Sequence, residues 1–115
     1  MKKLTSVLMM NLLFIMLTFG QAFDWAKASG GNGSDRAYAI SADNNGNSYV
    51  TGWFEQTASF GDMVLTSEGG KDVFLVKYNN DGEVVWATSA GGEGNNSAAG
   101  ICMDWDEFPI ITGWF

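Results

Sequence analysis

The sequence contains no histidine, one cysteine, one proline and only six basic residues against thirteen acidic ones. Each shortage removes a class of chemistry. Without histidine there is no Ser–His–Asp or Cys–His nucleophile system, no imidazole ligand for zinc and no proton shuttle of the usual kind near neutral pH. With Cys102 alone, no intrachain disulfide forms; its place in the apolar run "AAGICM" points to a buried structural thiol. Basic residues are scarcer still in the body of the chain. Two of the six, Lys2 and Lys3, open the only long apolar run, Val7 to Phe19, which Asn11 interrupts and Gly20-Gln21-Ala22 closes. That run is shorter than the roughly 20 apolar residues a spanning helix needs. Residues 1–22 therefore read as a signal peptide cleaved before Phe23, with no cysteine nearby for a lipid anchor. The rest of the chain carries four basic and thirteen acidic residues, a net charge of −9. Such a balance excludes nucleic acid as a partner and disfavours an anionic membrane surface, since both need clustered Lys and Arg. The composition suits a bacterial exported protein, extracellular, on the cell surface or in the periplasm.

What is present is a repeat. A shift of 61 residues lays Trp25–Phe54 over Trp86–Phe115 without a gap, and twelve of the thirty aligned positions are identical. These are Trp25/Trp86, Ala26/Ala87, three glycine pairs (Gly30/Gly91, Gly31/Gly92, Gly33/Gly94), Ala37/Ala98, Ile40/Ile101, Asp43/Asp104 and the tetrapeptide TGWF, Thr51–Phe54 over Thr112–Phe115. The region 23–115 divides accordingly into repeat 1, about 25–85, and a partial repeat 2, 86–115.

Each unit reads as β. "AYAISA" and "NSYVTGWF" are short runs rich in β-branched and aromatic residues around the turn formers "DNNGN". "DVFLVKY" and "EVVWATS" form a second pair around "NNDG", and "DVFLVKY" is apolar on both faces, as in a strand covered on two sides. A weaker strand is expected at "DMVLT" in the link between the pairs. No segment after Ala22 shows a helical apolar stripe. Four strands per 61 residues, with glycine pairs at the junctions, predict an all-β fold of propeller-type blades, one of them spanning roughly Ala37–Ser89. A solenoid or a stacked sandwich is the alternative.

The stretch from Asp24 to Gly92 also resembles the SBBP repeat, a β-propeller repeat of bacterial exported proteins. The matching pieces run from W-A-K…G-G…D through Y-A-I…D…G-N-S-Y-V-T-G and F-G to G-G-K-D-V-F-L-V-K-Y and D-G…W-A. The resemblance implies fold and export, and no catalytic activity. The second copy departs from it: "DWDEFPI" replaces "DNNGNSY", so the turn at Gly46 and Asn47 is expected to be lost. Pro109, which lacks a backbone donor, suits a strand start or edge.

No catalytic, cofactor-binding or metal-binding residue is assigned. Asp43 and Asp104 occupy one repeat position, where a carboxylate opening a turn caps local N–H groups; a glycosidase pair is the sharper alternative. Asp43, Asn45 and Asn47 in "DNNGN" hint at calcium but lack a later bidentate Glu. "GGNGSD" lacks the Lys-Ser/Thr of a phosphate loop and reads as a link between blades. Trp53 and Trp114 are expected in blade-to-blade packing, with stacking on sugar rings as the alternative. "DGEVVWA" is weakly similar to repeats of quinoprotein propellers, with no further cofactor-contacting pattern. A ring of blades needs further repeats for closure. The chain is accordingly expected to be the N-terminal part of a longer protein; a truncated gene, or several chains completing one ring, are alternatives. The functional expectation is a non-enzymatic scaffold for an unknown protein or glycan partner. The alternatives are a hydrolase or quinoprotein-like enzyme with its site in other blades, or a spacer.

Overall fold

A computed structural model of the chain describes residues 24–115; the signal peptide expected at 1–22 lies outside them. Seven strands and no helix occur among the described residues: β1 (Gly30–Gly31), β2 (Asp35–Ala42), β3 (Ser48–Phe60), β4 (Met63–Tyr78), β5 (Val84–Ala90), β6 (Ser97–Met103) and β7 (Pro109–Trp114). Strands β2 to β5 form an antiparallel meander, and β1 adds to the far end of β3 by pairing Gly30 and Gly31 with Ser59 and Ala58. The glycine pair expected in a loop between blades is thus partly strand. β6 and β7 form a separate hairpin, and the two sheets do not close on each other.

The blade expected over Ala37–Ser89 is this meander, but its central hairpin is longer than the sequence suggested. "DMVLT" is no separate strand. It is the first part of a continuous β4 that pairs with the second half of β3, from Thr57↔Thr66 to Phe60↔Met63. A two-residue turn joins them, and Gly61 takes φ 59°, as the first position of a II′ hairpin turn requires. The ladder is interrupted at Gln56, φ 60°, yet Ala58 and Phe60, two and three alternations on from Phe54, still share its face. That face holds the core: Phe54, Ala58, Phe60, Phe74, Val76 and Tyr78, with Trp25 stacked on Tyr78 at 6.0 Å. On the other face Tyr49 and Trp86 meet edge to face. From Asp72 to Val76 every residue of β4 is buried, as the doubly apolar "DVFLVKY" predicts.

Hydrogen-bond register proves the repeat in three dimensions. β2 pairs with β3 as Arg36↔Trp53, Ala37↔Gly52, Ala39↔Thr51 and Ile40↔Val50. β6 pairs with β7 as Ser97↔Trp114, Ala98↔Gly113, Gly100↔Thr112 and Ile101↔Ile111. Every pair is displaced by 61, and both ladders skip the same position, Tyr38 in one and Ala99 in the other.

This bulge explains TGWF. The extra residue pushes the preceding carbonyl inward, so a Cβ on Gly52 would stand 1.9 Å from the Arg36 carbonyl oxygen. On Gly113 it would stand 2.2 Å from that of Ser97. Only glycine fits at the third position of the bulged pair. Thr51 is fully buried and its Oγ1 donates to the Phe74 carbonyl at 2.7 Å; Phe54 is fully buried in the core.

Candidate functional site

Three turns in this fold share one construction. Asp43 Oδ1 accepts the N–H groups of Asn45 and Asn47, both at 2.9 Å, while Asp43 N–H donates to the Asn47 carbonyl. Asn79 does the same for Asp81 and Glu83, and Asp104 for Asp106 and Phe108. In each the fourth residue is left-handed: Gly46 at φ 83°, Gly82 at 76° and Glu107 at 64°. The turn expected to be lost in the second copy is therefore kept. The acceptor at its first position outweighs the missing glycine, and Glu107 bears the left-handed backbone.

Asp43 Oδ2 also accepts Asn47 Nδ2 at 2.8 Å and the Tyr49 hydroxyl at 3.2 Å. These donors, the Asn47 side-chain amide foremost, hold the Asp43 carboxyl below its ordinary pKa. The Asn47 amide presents its NH₂ to the carboxylate, so the oxygens of "DNNGN" do not converge as a calcium ligand set would. Asp43 and Asp104 are turn caps.

The junction between the meander and the β6–β7 hairpin gathers a different set of groups. Hydrogen bonds lace the two together: Asn96 N–H donates to the Lys71 carbonyl at 2.6 Å, Gly70 N–H to the Gly94 carbonyl, and Lys71 N–H to the side-chain Oδ1 of Asn95 at 3.1 Å. Gly69 and Gly70 permit this approach, since a Cβ on Gly69 would meet the carbonyls of Gly92 and Glu93 within 2.6 Å. Asp72 is buried at the same junction, where its Oδ2 accepts the Glu68 N–H.

Above the lacing lies a cleft of about 410 Å³. β2 contributes Arg36 and Tyr38, β3 Trp53, β4 Lys71, the approach to β6 Asn95 and Asn96, and the end of β7 Trp114. The Lys71 ammonium sits 3.9 Å above the Trp53 ring, a cation–π contact that fixes its charge at the wall. The Arg36 guanidinium lies 5.8 Å from the Tyr38 ring centre and donates weakly to its hydroxyl at 3.4 Å. Arg36 foremost, with Lys71 adding to the field, holds the Tyr38 phenol below its ordinary pKa. Both positive charges thus act on one place.

The two tryptophans at one repeat position, Trp53 and Trp114, differ in exposure. Trp53 is 9% exposed, packed beneath Lys71, whereas Trp114 at the same repeat position is 57% exposed at the cleft mouth. Phe54 and Phe115 differ in the same sense. Cys102 is exposed on β6, contrary to the buried thiol expected from its apolar neighbours, because nothing among the described residues covers that face of the hairpin. Pro109 begins β7, as expected. Sequence reasoning missed Arg36, Tyr38 and Lys71. The only signal was that these bases stand near aromatics in strands of a chain otherwise poor in them.

The family model SBBP, described as Beta-propeller repeat, matches residues 24–53. No curated protein and no solved structure matches the chain. The matched segment runs from Trp25 through β2 and its bulge to Trp53, and β6–β7 repeats its pairing at a displacement of 61 residues. Residues 24–53 are thus similar to a beta-propeller repeat, within an all-β structure whose sheets are not closed into a ring among the described residues.

Proposed function

We propose that this protein is an exported, non-enzymatic scaffold whose propeller-type repeats present junction clefts to a protein or glycan partner. The observation that carries the reading is the cleft between meander and hairpin, walled by aromatics and amides on a rigid β framework. Binding sites of this volume commonly combine apolar walls with a few placed polar groups. The two carboxylates at the matched repeat position, Asp43 and Asp104, accept backbone N–H groups in their own turns. Export rests on residues 1–22, with their two lysines, apolar run and small-residue close.

Two measurements test the proposal. Mass spectrometry of secreted material should find a chain beginning at or near Phe23; intact Met1 protein confined to the cytosol refutes export. A glycan array and a pull-down with the secreted chain should return a partner whose retention falls on Trp114→Ala. A sample that retains no partner but turns over a sugar or alcohol substrate supports the enzyme reading instead.

A further inference from the structure

We infer that the cleft between the first meander and the β6–β7 hairpin binds a carboxylate-bearing sugar, a uronic acid residue of a glycan. The inference rests on the scaffold reading above and names the class of partner for that site. The described part of the chain has thirteen acids and only four bases, Lys27, Arg36, Lys71 and Lys77. Two of those four line this one cleft, and no Asp or Glu lines it. In a protein whose overall field repels anions, a local pair of cations without a carboxylate between them selects an anion that can come close.

The rest of the lining says what the anion is attached to. The Trp114 ring is more than half exposed and Tyr38 nearly so, offering apolar faces to the C–H side of a sugar ring. Asn95 uses its Oδ1 on the Lys71 N–H, which leaves its amide NH₂ as a donor for a ring hydroxyl. Arg36 is exposed and held near Tyr38, so its planar fork is available for two parallel bonds to a carboxylate. Lys71, pinned over Trp53, supplies a second charge without a fork. A bare phosphate would leave the aromatic wall and the amide unused. The cleft volume, about 410 Å³, is ample for one sugar unit and part of its neighbour.

The test is calorimetric titration of the secreted chain with digalacturonate, neutral digalactose, hexaglutamate and inorganic phosphate. Digalacturonate should bind, digalactose at least about tenfold more weakly, and the affinity should fall between 50 and 500 mM salt (roughly one decade of ionic strength) as exposed charges are screened. Arg36→Gln should lose about tenfold or more and Trp114→Ala several-fold, with unchanged melting curves because both side chains are exposed. Lys71→Gln gives an independent measure of the second charge; its melting curve separates lost binding from lost packing on Trp53. Equal binding of digalactose, or preference for hexaglutamate or phosphate, overturns the uronate inference and leaves the scaffold reading standing. No binding of any probe, with a partner still captured in the pull-down, does the same. No binding and no captured partner overturn both.

Discussion

Replacing Gly52 by alanine should unfold this protein far more readily than its mild chemistry suggests. The backbone there is not left-handed, so alanine is conformationally allowed, and by lowering unfolded-chain entropy it would stabilise by about 0.4–1 kcal/mol. Space decides otherwise. The new methyl would sit 1.9 Å from the Arg36 carbonyl oxygen and 2.8 Å from the Arg36 carbonyl carbon and Ala37 Cα. All three are backbone atoms, so no side chain can swing away. Relief requires the β2 bulge to retreat by roughly an ångström, at the cost of about two ladder hydrogen bonds worth ~1 kcal/mol each. Overpacking beside the fully buried Phe54 adds about 1–3 kcal/mol. The net loss is about 2–4 kcal/mol, which in a domain of this size lowers Tm by roughly 10–25 °C.

The assay is urea unfolding followed by tryptophan fluorescence, with the midpoint read at unchanged slope. Gly92→Ala is the control: no atom lies within 4 Å of its would-be Cβ, and its φ is not positive. It should be neutral or slightly stabilising. If Gly52→Ala falls within about 0.5 kcal/mol of the parent, the steric account of TGWF is wrong.

Phe54→Ala should cost about 3–5 kcal/mol while Phe115→Ala, at the same repeat position but 75% exposed, changes stability by no more than about 0.5 kcal/mol; comparable losses in urea would deny that the two environments differ. At Glu107, left-handed at φ 64°, glycine should be about 1 kcal/mol more stable than alanine, because both variants lose the carboxylate that accepts the Asn44 N–H and only glycine escapes the backbone strain. Asp43 has a folded-state pKa below its unfolded one, so its contribution is complete above about pH 4 and is lost as pH falls through the lower folded value. Asp43→Asn should keep the turn at neutral pH, as Asn79 does in its own turn, and should make acid unfolding less steep; an unchanged acid limb refutes this.

Much of the fold was legible because its signals are local. Alternating apolar residues around Asx-and-glycine turns gave the strands, and an ungapped 61-residue identity gave the repeat. The continuous β4 was not legible, because "SEGGK" at 67–71 carries the polar, glycine-rich composition of a loop. Its glycines serve another end: Gly69 and Gly70 admit the backbone of residues 92–95. The turn at Asp104 was misread for a related reason. A left-handed position signals itself by glycine, and Glu107 occupies it under the control of an acceptor three residues earlier and a contact 63 residues away. The exposure of Cys102 depends on what covers the hairpin, and neighbouring residues in the sequence do not report that.

The cleft escaped sequence reading for a deeper reason, which bears on how such a repeat could diversify. Positions identical between the two copies are occupied by the fold: Gly52 and Gly113 face bulged carbonyls, Asp43 and Asp104 cap turns, and Thr51 ties β3 to β4. The cleft is lined mostly from positions where the copies differ. Arg36 stands opposite Ser97 in the repeat alignment, Tyr38 opposite Ala99 and Ser34 opposite Asn95. Trp53 and Trp114, an identical pair, both line the cleft, one buried and the other exposed. Repetition therefore reveals the framework and hides the site, because the bulge that requires glycine on β3 places few demands on the side chains it turns outward from β2. Substitution at positions 36, 38 and 95 can alter what a junction binds while Gly52 and Asp43 hold the blade as it is.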